Sequence, residues 1–190
     1  MIKSIEIFAL ILGLIYLFLE IQQDKRMWLI GLLSSAIYIF LFFNTNLYAS
    51  ATIQFYYLIL SIYGWFRWSD DQKGNRDSKE KFYREISLTG LIFYSLSSIP
   101  IFLLTKWILV NYSNDPRPIM EAIVTTLTVT ATLWLSKKYL HHWLLWFISN
   151  IFSTVLYFQT ELYFTALLFL IYSVFSVVGF IAWRKFTRVL

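Results

Sequence analysis

The chain is expected to fold as an all-α integral membrane protein, with seven transmembrane helices in a 3-1-3 plan of two parallel repeats and one linker helix. Three observations lead there. Of its 190 residues 58% are hydrophobic and 14% charged, with a mean hydropathy of +0.62, too little polar surface to coat a soluble globule of this size. The apolar residues gather in seven stretches, near 5–21, 27–43, 47–68, 86–107, 119–136, 140–158 and 162–183. Residues 28–68 also align without a gap on residues 143–183 at an offset of 115. The identities include Trp28/Trp143, Leu29/Leu144, Ser34/Ser149, Phe43/Phe158, Thr45/Thr160, Leu47/Leu162, Tyr48/Tyr163, Ala51/Ala166, Tyr57/Tyr172, Ser61/Ser176, Gly64/Gly179 and Trp68/Trp183. About three or four would arise by chance at this composition, so the unit is repeated.

Each stretch holds about 17 to 22 residues, enough to cross a hydrocarbon core ~30 Å thick at 1.5 Å per residue. The stretches are too long and too uniformly apolar for barrel strands. The first follows Lys3 and ends in Leu19-Glu20-Ile21-Gln22-Gln23 without a small-residue cleavage pattern, so it reads as a retained helix rather than a secretion signal. At the same offset Glu6 pairs with Glu121 and Leu12 with Leu127, which extends the repeats to 5–68 and 119–183. Asn44-Thr45-Asn46 and Gln159-Thr160-Glu161 are short polar turns that make antiparallel hairpins of helices 2 and 3 and of helices 6 and 7. Residues 69–85 are charge-dense and read as a solvated linker. Residues 86–107 have no counterpart, and Pro100 inside them predicts a local kink. Asn114-Asp115-Pro116-Arg117-Pro118 is a turn that opens helix 5.

Three spans leave a chain on the opposite side from its start, so a fourth, unpaired helix is what lets two copies run parallel. Such parallel repeats occur in the SWEET sugar facilitators, a fold-level analogy that favours transport. Lys and Arg divide unequally between the sides. Lys3, Lys106 and Arg117 lie on the N-terminal side, and the other thirteen of the sixteen lie opposite. The N-terminus is therefore expected outside and the C-terminus in the cytoplasm. The net charge of +5 then reflects topology and anionic lipid, and no nucleic-acid partner is expected. There is no cysteine, which leaves no disulfide, thiolate metal site or thiol nucleophile. His141 and His142 are adjacent, so they face about 100° apart, and no Ser-His-Asp, HExxH or phosphate-loop pattern occurs. An enzyme is not expected, nor a cofactor or metal.

One constellation carries chemistry. In His141-His142-Trp143-Leu144-Leu145-Trp146-Phe147-Ile148-Ser149-Asn150, Trp143, Trp146 and Asn150 fall at i, i+3 and i+7 on one helical face. Indoles stack on flat heterocycles and attract cations, and an amide supplies donor and acceptor together. The competing reading puts the tryptophans in an interfacial belt and makes the asparagine interhelical glue.

The stretch KYLHHWLLWFISN, residues 138–150, resembles the W-x-x-W-x-x-x-N motif of the PnuC family of bacterial B-vitamin transporters. NLYASATIQFYYLILSIYGWFRW, residues 46–68, is similar to that family's LYA-x(5)-Q and IYGW-x-x-W elements at Leu47, Gln54 and residues 62–68. The resemblance spans essentially the whole chain. It implies a seven-helix 3-1-3 core in the cytoplasmic (inner) membrane, commonly a homotrimer, that equilibrates a vitamin by facilitated diffusion while a cytoplasmic vitamin kinase traps it. Nicotinamide riboside is the first expectation, thiamine the second and riboflavin the third. Many relatives carry an extra helix ahead of the core; here only Met1 to Ser4 precede it. Relatives often have Asp where this chain has Glu121.

Gln54, Tyr57, Ser61, Gly64 and Trp68 form one stripe along helix 3, and Gln54 has no repeat mate because Phe169 stands in its place. An unrepeated amide in a span points to a ligand. Glu121, Thr125, Thr128 and Thr132 form a polar face on helix 5. The expected substrate site comprises Trp143, Trp146, Asn150, Gln54, Tyr57, Glu121, Thr125 and Thr128. A carboxylate at Glu121 would favour a cationic vitamin. Gly64 and Gly179 are expected to be close-approach points on which the halves pivot, with Pro100 absorbing the connection. Glu6, Glu20 and Glu121 lie near helix ends, so ion coupling is not expected.

Overall fold

The computed structural model describes residues 2–44, 48–74, 81–112, 117–159 and 163–189. Seven α-helices account for nearly all of them: α1 (Ile2–Ile21), α2 (Arg26–Asn44), α3 (Tyr48–Gly74), α4 (Leu88–Tyr112), α5 (Pro118–Ser136), α6 (His142–Gln159) and α7 (Tyr163–Trp183). Each overlaps one predicted stretch. Among the described residues Leu88–Tyr112, Pro118–Ser136 and Ala166–Trp183 are long and apolar enough to cross a membrane. The turns at Thr45-Asn46, Thr160-Glu161 and Asn114-Asp115-Pro116, the linker residues 75–80 and the side chain of Glu6 lie outside the described residues.

The chain divides into two compact units, Met1–Lys81 and Phe82–Leu190. In the first unit α1 ends in a Schellman motif. The Gln23 N–H donates to the Glu20 carbonyl (3.0 Å) and the Asp24 N–H to the Leu19 carbonyl (2.9 Å), with Gln23 at φ 53°. Asp24 then starts α2: its Oδ1 accepts the Arg26 N–H at 2.9 Å and its Oδ2 the Arg26 guanidinium at 2.6 Å. The hydrogen bond from the Arg26 side chain is the main reason the Asp24 carboxyl sits below its usual pKa. Lys25 Nζ reaches Ser69 Oγ (3.5 Å) and lies over the Trp65 ring, which ties the α1–α2 turn to the same end of α3. Farther along, Trp28 is wedged flat on Gly64. A Cβ at that glycine would lie 2.4 Å from the indole. Trp28 also meets Trp68 edge-on, at 5.7 Å and 88°.

The second unit uses the same devices. The Lys138 N–H donates to Leu135 O (2.9 Å) and the Tyr139 N–H to Trp134 O (3.0 Å), with Lys138 at φ 59°. Trp143 lies on Gly179, where a Cβ would again come within 2.4 Å of the ring, and meets Trp183 edge-on at 5.8 Å and 85°. All four tryptophans are essentially inaccessible. Gln23 and Lys138 are not identical, so the shared backbone turn is invisible to a residue-by-residue match. A non-glycine residue tolerates the left-handed region here because the helix end needs those two carbonyls satisfied.

Helix α4 packs within the second unit, through Tyr94 against Trp134 (5.6 Å) and Tyr139 (6.2 Å) and through the Lys137 ammonium, which donates to the Tyr94 hydroxyl at 2.7 Å. None of its residues is buried, and Ile92, Phe93, Leu96, Ile99, Leu103, Leu104 and Trp107 are exposed, as suits a helix solvated by lipid. Pro100 lies inside this continuous helix. The helix extends past the predicted end at 107 to Tyr112, where Asn111 Nδ2 donates to the Trp107 carbonyl at 2.7 Å. At its start Ser87 Oγ accepts the Gly90 N–H at 3.1 Å, an N-cap. Ser87→Ala should cost about 1 kcal/mol, read as a lower melting temperature, and Ser87→Asp should restore it.

The linker reading of residues 69–85 needs correction. Helix α3 continues at least to Gly74, because polar residues propagate a helix that apolarity alone would end at Trp68. Phe82–Arg84 forms strand β1, paired in parallel with strand β2, Thr187–Val189. On its other side β1 meets the α5–α6 turn: Arg84 N–H donates to Lys138 O and the Leu140 N–H to Arg84 O, both at 2.9 Å. Arg188 pairs with Glu85 at 2.7 Å. Three basic segments thus share one end of the second unit. Arg117 and Gln159, bonded through their side chains, mark the other.

Candidate substrate site

Helix α6 buries His142, Trp143, Ser149, Asn150, Ser153 and Leu156 along one stripe, the period expected of a helix facing protein. Within it the two tryptophans part company. Trp143 is 1% exposed and committed to Gly179 and Trp183, so it is a packing element. Trp146 is only partly buried; its indole N–H, like that of Trp143, is shut off from solvent with no hydrogen-bond partner, so exposure of the ring is what separates the two. An unmet donor in a low-dielectric environment costs about 1–3 kcal/mol, and a ligand acceptor would relieve it.

Asn150 is held by one bond: its Nδ2 donates to Ser176 Oγ at 3.3 Å, and Ser176 in turn donates to Tyr172 O at 2.9 Å. This joins α6 to α7, and one interaction leaves part of a four-valent amide for another partner. Thr128 bonds its own helix at Val124 O (2.8 Å) and meets Ser149 Oγ at 3.1 Å, joining α5 to α6. Thr132 returns its hydroxyl to Thr128 O at 2.8 Å. Thr125 is half-buried on the same helix. Glu121 is half-buried in the first turn of α5, where a carboxylate complements the positive end of the helix dipole.

Gln54 and Tyr57 belong to the first unit. Both are half-buried on α3, and Tyr57 meets Tyr56 edge-on at 5.4 Å. Glu20, expected near a helix end, is at the end of α1 but 3% exposed. The sequence offered His142 only as one of two adjacent histidines unsuited to a metal; it is fully buried, shares a 2.7 Å Nδ1 contact with the Tyr139 carbonyl, and lies 4.7 Å from both Trp143 and Trp183. Its neighbour His141 has its pKa lowered, chiefly by burial, so it is neutral at pH 7. The sequence reading did not select Ser149, Ser153 and Ser176 as site-forming hydroxyls; their place on the buried faces of α6 and α7 was the available signal.

Apolar helices exposed to lipid, with an unmet indole donor, an amide and hydroxyls on the buried face of α6, are the features of a polytopic membrane transport protein. The model of the family described as nicotinamide mononucleotide transporter matches residues 3–185, and the chain belongs to that family. It is similar to the nicotinamide riboside transporter PnuC of Escherichia coli (strain K12) and to that of Shigella flexneri. Each is 23% identical over 206 residues, covering 97% of this chain and 86% of the relative. Among solved structures it shares its fold with the crystal structure of the vitamin B3 transporter PnuC, at a TM-score of 0.67 and 17% identity, over 93% of this chain and 79% of that one.

Proposed function

We propose that this protein carries nicotinamide riboside across the bacterial inner membrane by facilitated diffusion, with a cytoplasmic kinase trapping the product, and that Trp146 and Asn150 hold the pyridinium ring and its amide. The observation that carries this reading is Trp146, which the packing leaves only partly buried, one helical turn from Asn150, whose amide makes a single bond. A flat cationic ring with a carboxamide is complementary to an indole face and a side-chain amide. The family name and the named relatives point to the same ligand class. The riboside fits better than the mononucleotide, because the α6 stripe from Trp146 to Leu156 carries no Lys or Arg, and a buried phosphate would need one.

The architecture proposed with it is a 3-1-3 parallel repeat of seven spans, supported by the paired Schellman turns and the paired tryptophan–glycine wedges at an offset of 115. The basic ends of α3, α5 and α7 face the cytoplasm, following the positive-inside rule. Assembly as a homotrimer belongs to the same reading. Gln54, Tyr57, Thr125, Thr128 and Glu121 remain proposed substrate contacts, whereas Trp143 is reassigned to packing alongside Gly64 and Gly179.

Purified protein in liposomes should equilibrate radiolabelled nicotinamide riboside without ATP, and thiamine and riboflavin should compete more weakly. Uptake should stop when the concentrations equalise. Accumulation above equilibrium driven by a proton or sodium gradient, and abolished in Glu20→Gln, would replace facilitated diffusion with coupled transport through that buried carboxylate.

A further inference from the structure

We propose that Ser153 is a second anchor of the site, taking a sugar hydroxyl of the bound nucleoside while Trp146 holds its ring. The proposal rests on the riboside reading above. Ser153 is 1% exposed in the middle of the buried stripe of α6, yet its Oγ has no hydrogen-bond partner. Neighbouring hydroxyls behave differently: Thr154 donates to Asn150 O (2.8 Å), Ser173 to Leu170 O (2.7 Å) and Ser176 to Tyr172 O (2.9 Å). A closed-off hydroxyl that does not return to its own helix is an unusual feature that needs a reason.

Its position supplies one. Trp146, Asn150 and Ser153 stand at i, i+4 and i+7, within about 60° of one another around the helix. Seven residues advance about 10 Å along the axis, the length of a nucleoside lying along it. The two unmet groups, an indole N–H and a hydroxyl, sit at the ends of this ladder with the amide between them. The carboxamide oxygen of the bound base, which can accept the indole N–H, and a sugar hydroxyl at the other end satisfy both.

Comparison of the two units shows that the ladder is not part of the common scaffold. The wedge residues recur at an offset of 115, whereas Trp146, Asn150 and Ser153 stand where the first unit has Gly31, Ser35 and Tyr38. At Gly31 a side chain would have to displace Ser61: a Cβ would meet Ser61 Oγ at 2.9 Å and touch Tyr16 Cε2 at 3.5 Å. Tyr16, which lies beside Gly31, corresponds to the small, fully buried Ala131. Large and small residues are thus exchanged between the units, and only the second unit builds an indole, an amide and a hydroxyl along one face.

The test is a binding cycle by calorimetry on purified wild type, Ser153→Ala and Trp146→Ala, using nicotinamide riboside and its three analogues lacking the 2′, 3′ or 5′ hydroxyl. Ser153→Ala should weaken nicotinamide riboside about tenfold, and one analogue should bind wild type and Ser153→Ala equally, because its partner hydroxyl is already gone. Trp146→Ala should weaken all four ligands by a similar factor. Unchanged affinity for the riboside in Ser153→Ala would overturn the proposal, as would an equal loss for the riboside and every analogue. Absence of riboside binding to wild type would remove the riboside reading itself, an outcome separate from either.

Discussion

Trp143→Ala is expected to lower the stability of the detergent-solubilised protein by about 3–5 kcal/mol, the range for deleting a buried tryptophan. The ring is 1% exposed and fills the space over Gly179, against Trp183 and His142, so its removal leaves a void that rigid neighbours fill poorly. The reverse change should act in the same direction: Gly179→Leu places atoms inside the indole, where even a Cβ would come within 2.4 Å, and overpacking of this kind costs about 1–3 kcal/mol or more. Trp28→Ala and Gly64→Leu should behave alike in the first unit. Gly90→Ala is the milder comparison, since a Cβ there meets Ile86 Cγ2 at 3.1 Å and the capping Ser87 Oγ at 3.2 Å, contacts that need give only a few tenths of an ångström. Thermal melts of the five variants decide the matter, and a wild-type melting temperature for Trp143→Ala would show that the wedge contributes nothing.

Trp146→Ala should do the opposite, leaving the melting temperature nearly unchanged while weakening nicotinamide riboside by about 1–3 kcal/mol, roughly 5- to 150-fold. The side chain is only partly buried, so less native structure depends on it than on Trp143. Trp146→Phe should recover part of the affinity through stacking without the donor. Calorimetry on folded protein gives the answer; equal affinity in Trp146→Ala and wild type would take the indole out of the site. The two tryptophans, three residues apart, thus make opposite predictions for stability and binding.

That contrast marks where the sequence stopped being legible. Trp143 and Trp146 share a helical face, and a periodicity argument treats both as candidates. Which one meets a ligand depends on whether a glycine thirty-six residues farther on, at 179, lies under the ring, a tertiary fact. The Trp28/Trp143 and Gly64/Gly179 identities did flag a shared structural device, although they did not reveal that tryptophan and glycine were each other's partners. Asn150 was legible as an amide needing a partner; that Ser176 supplies one bond, and that Ser153 beside it has none, required the packed helices.

The sequence by itself determined that the chain is helical and membrane-embedded and roughly where each helix lies, and it carries matching residues at an offset of 115, because apolar length and identity at a fixed offset are properties of the chain alone. It could not place β1 and β2, since three-residue strands carry too little pattern and exist only because the Phe82–Arg84 backbone meets the C-terminal segment and the α5–α6 turn. Nor could it foresee the matching turns at Gln23 and Lys138, where different side chains adopt one backbone to satisfy the same two helix-end carbonyls. Tertiary structure decided which polar groups are satisfied and which are left open, because hydrogen bonding and close packing are settled between helices that the sequence lists far apart.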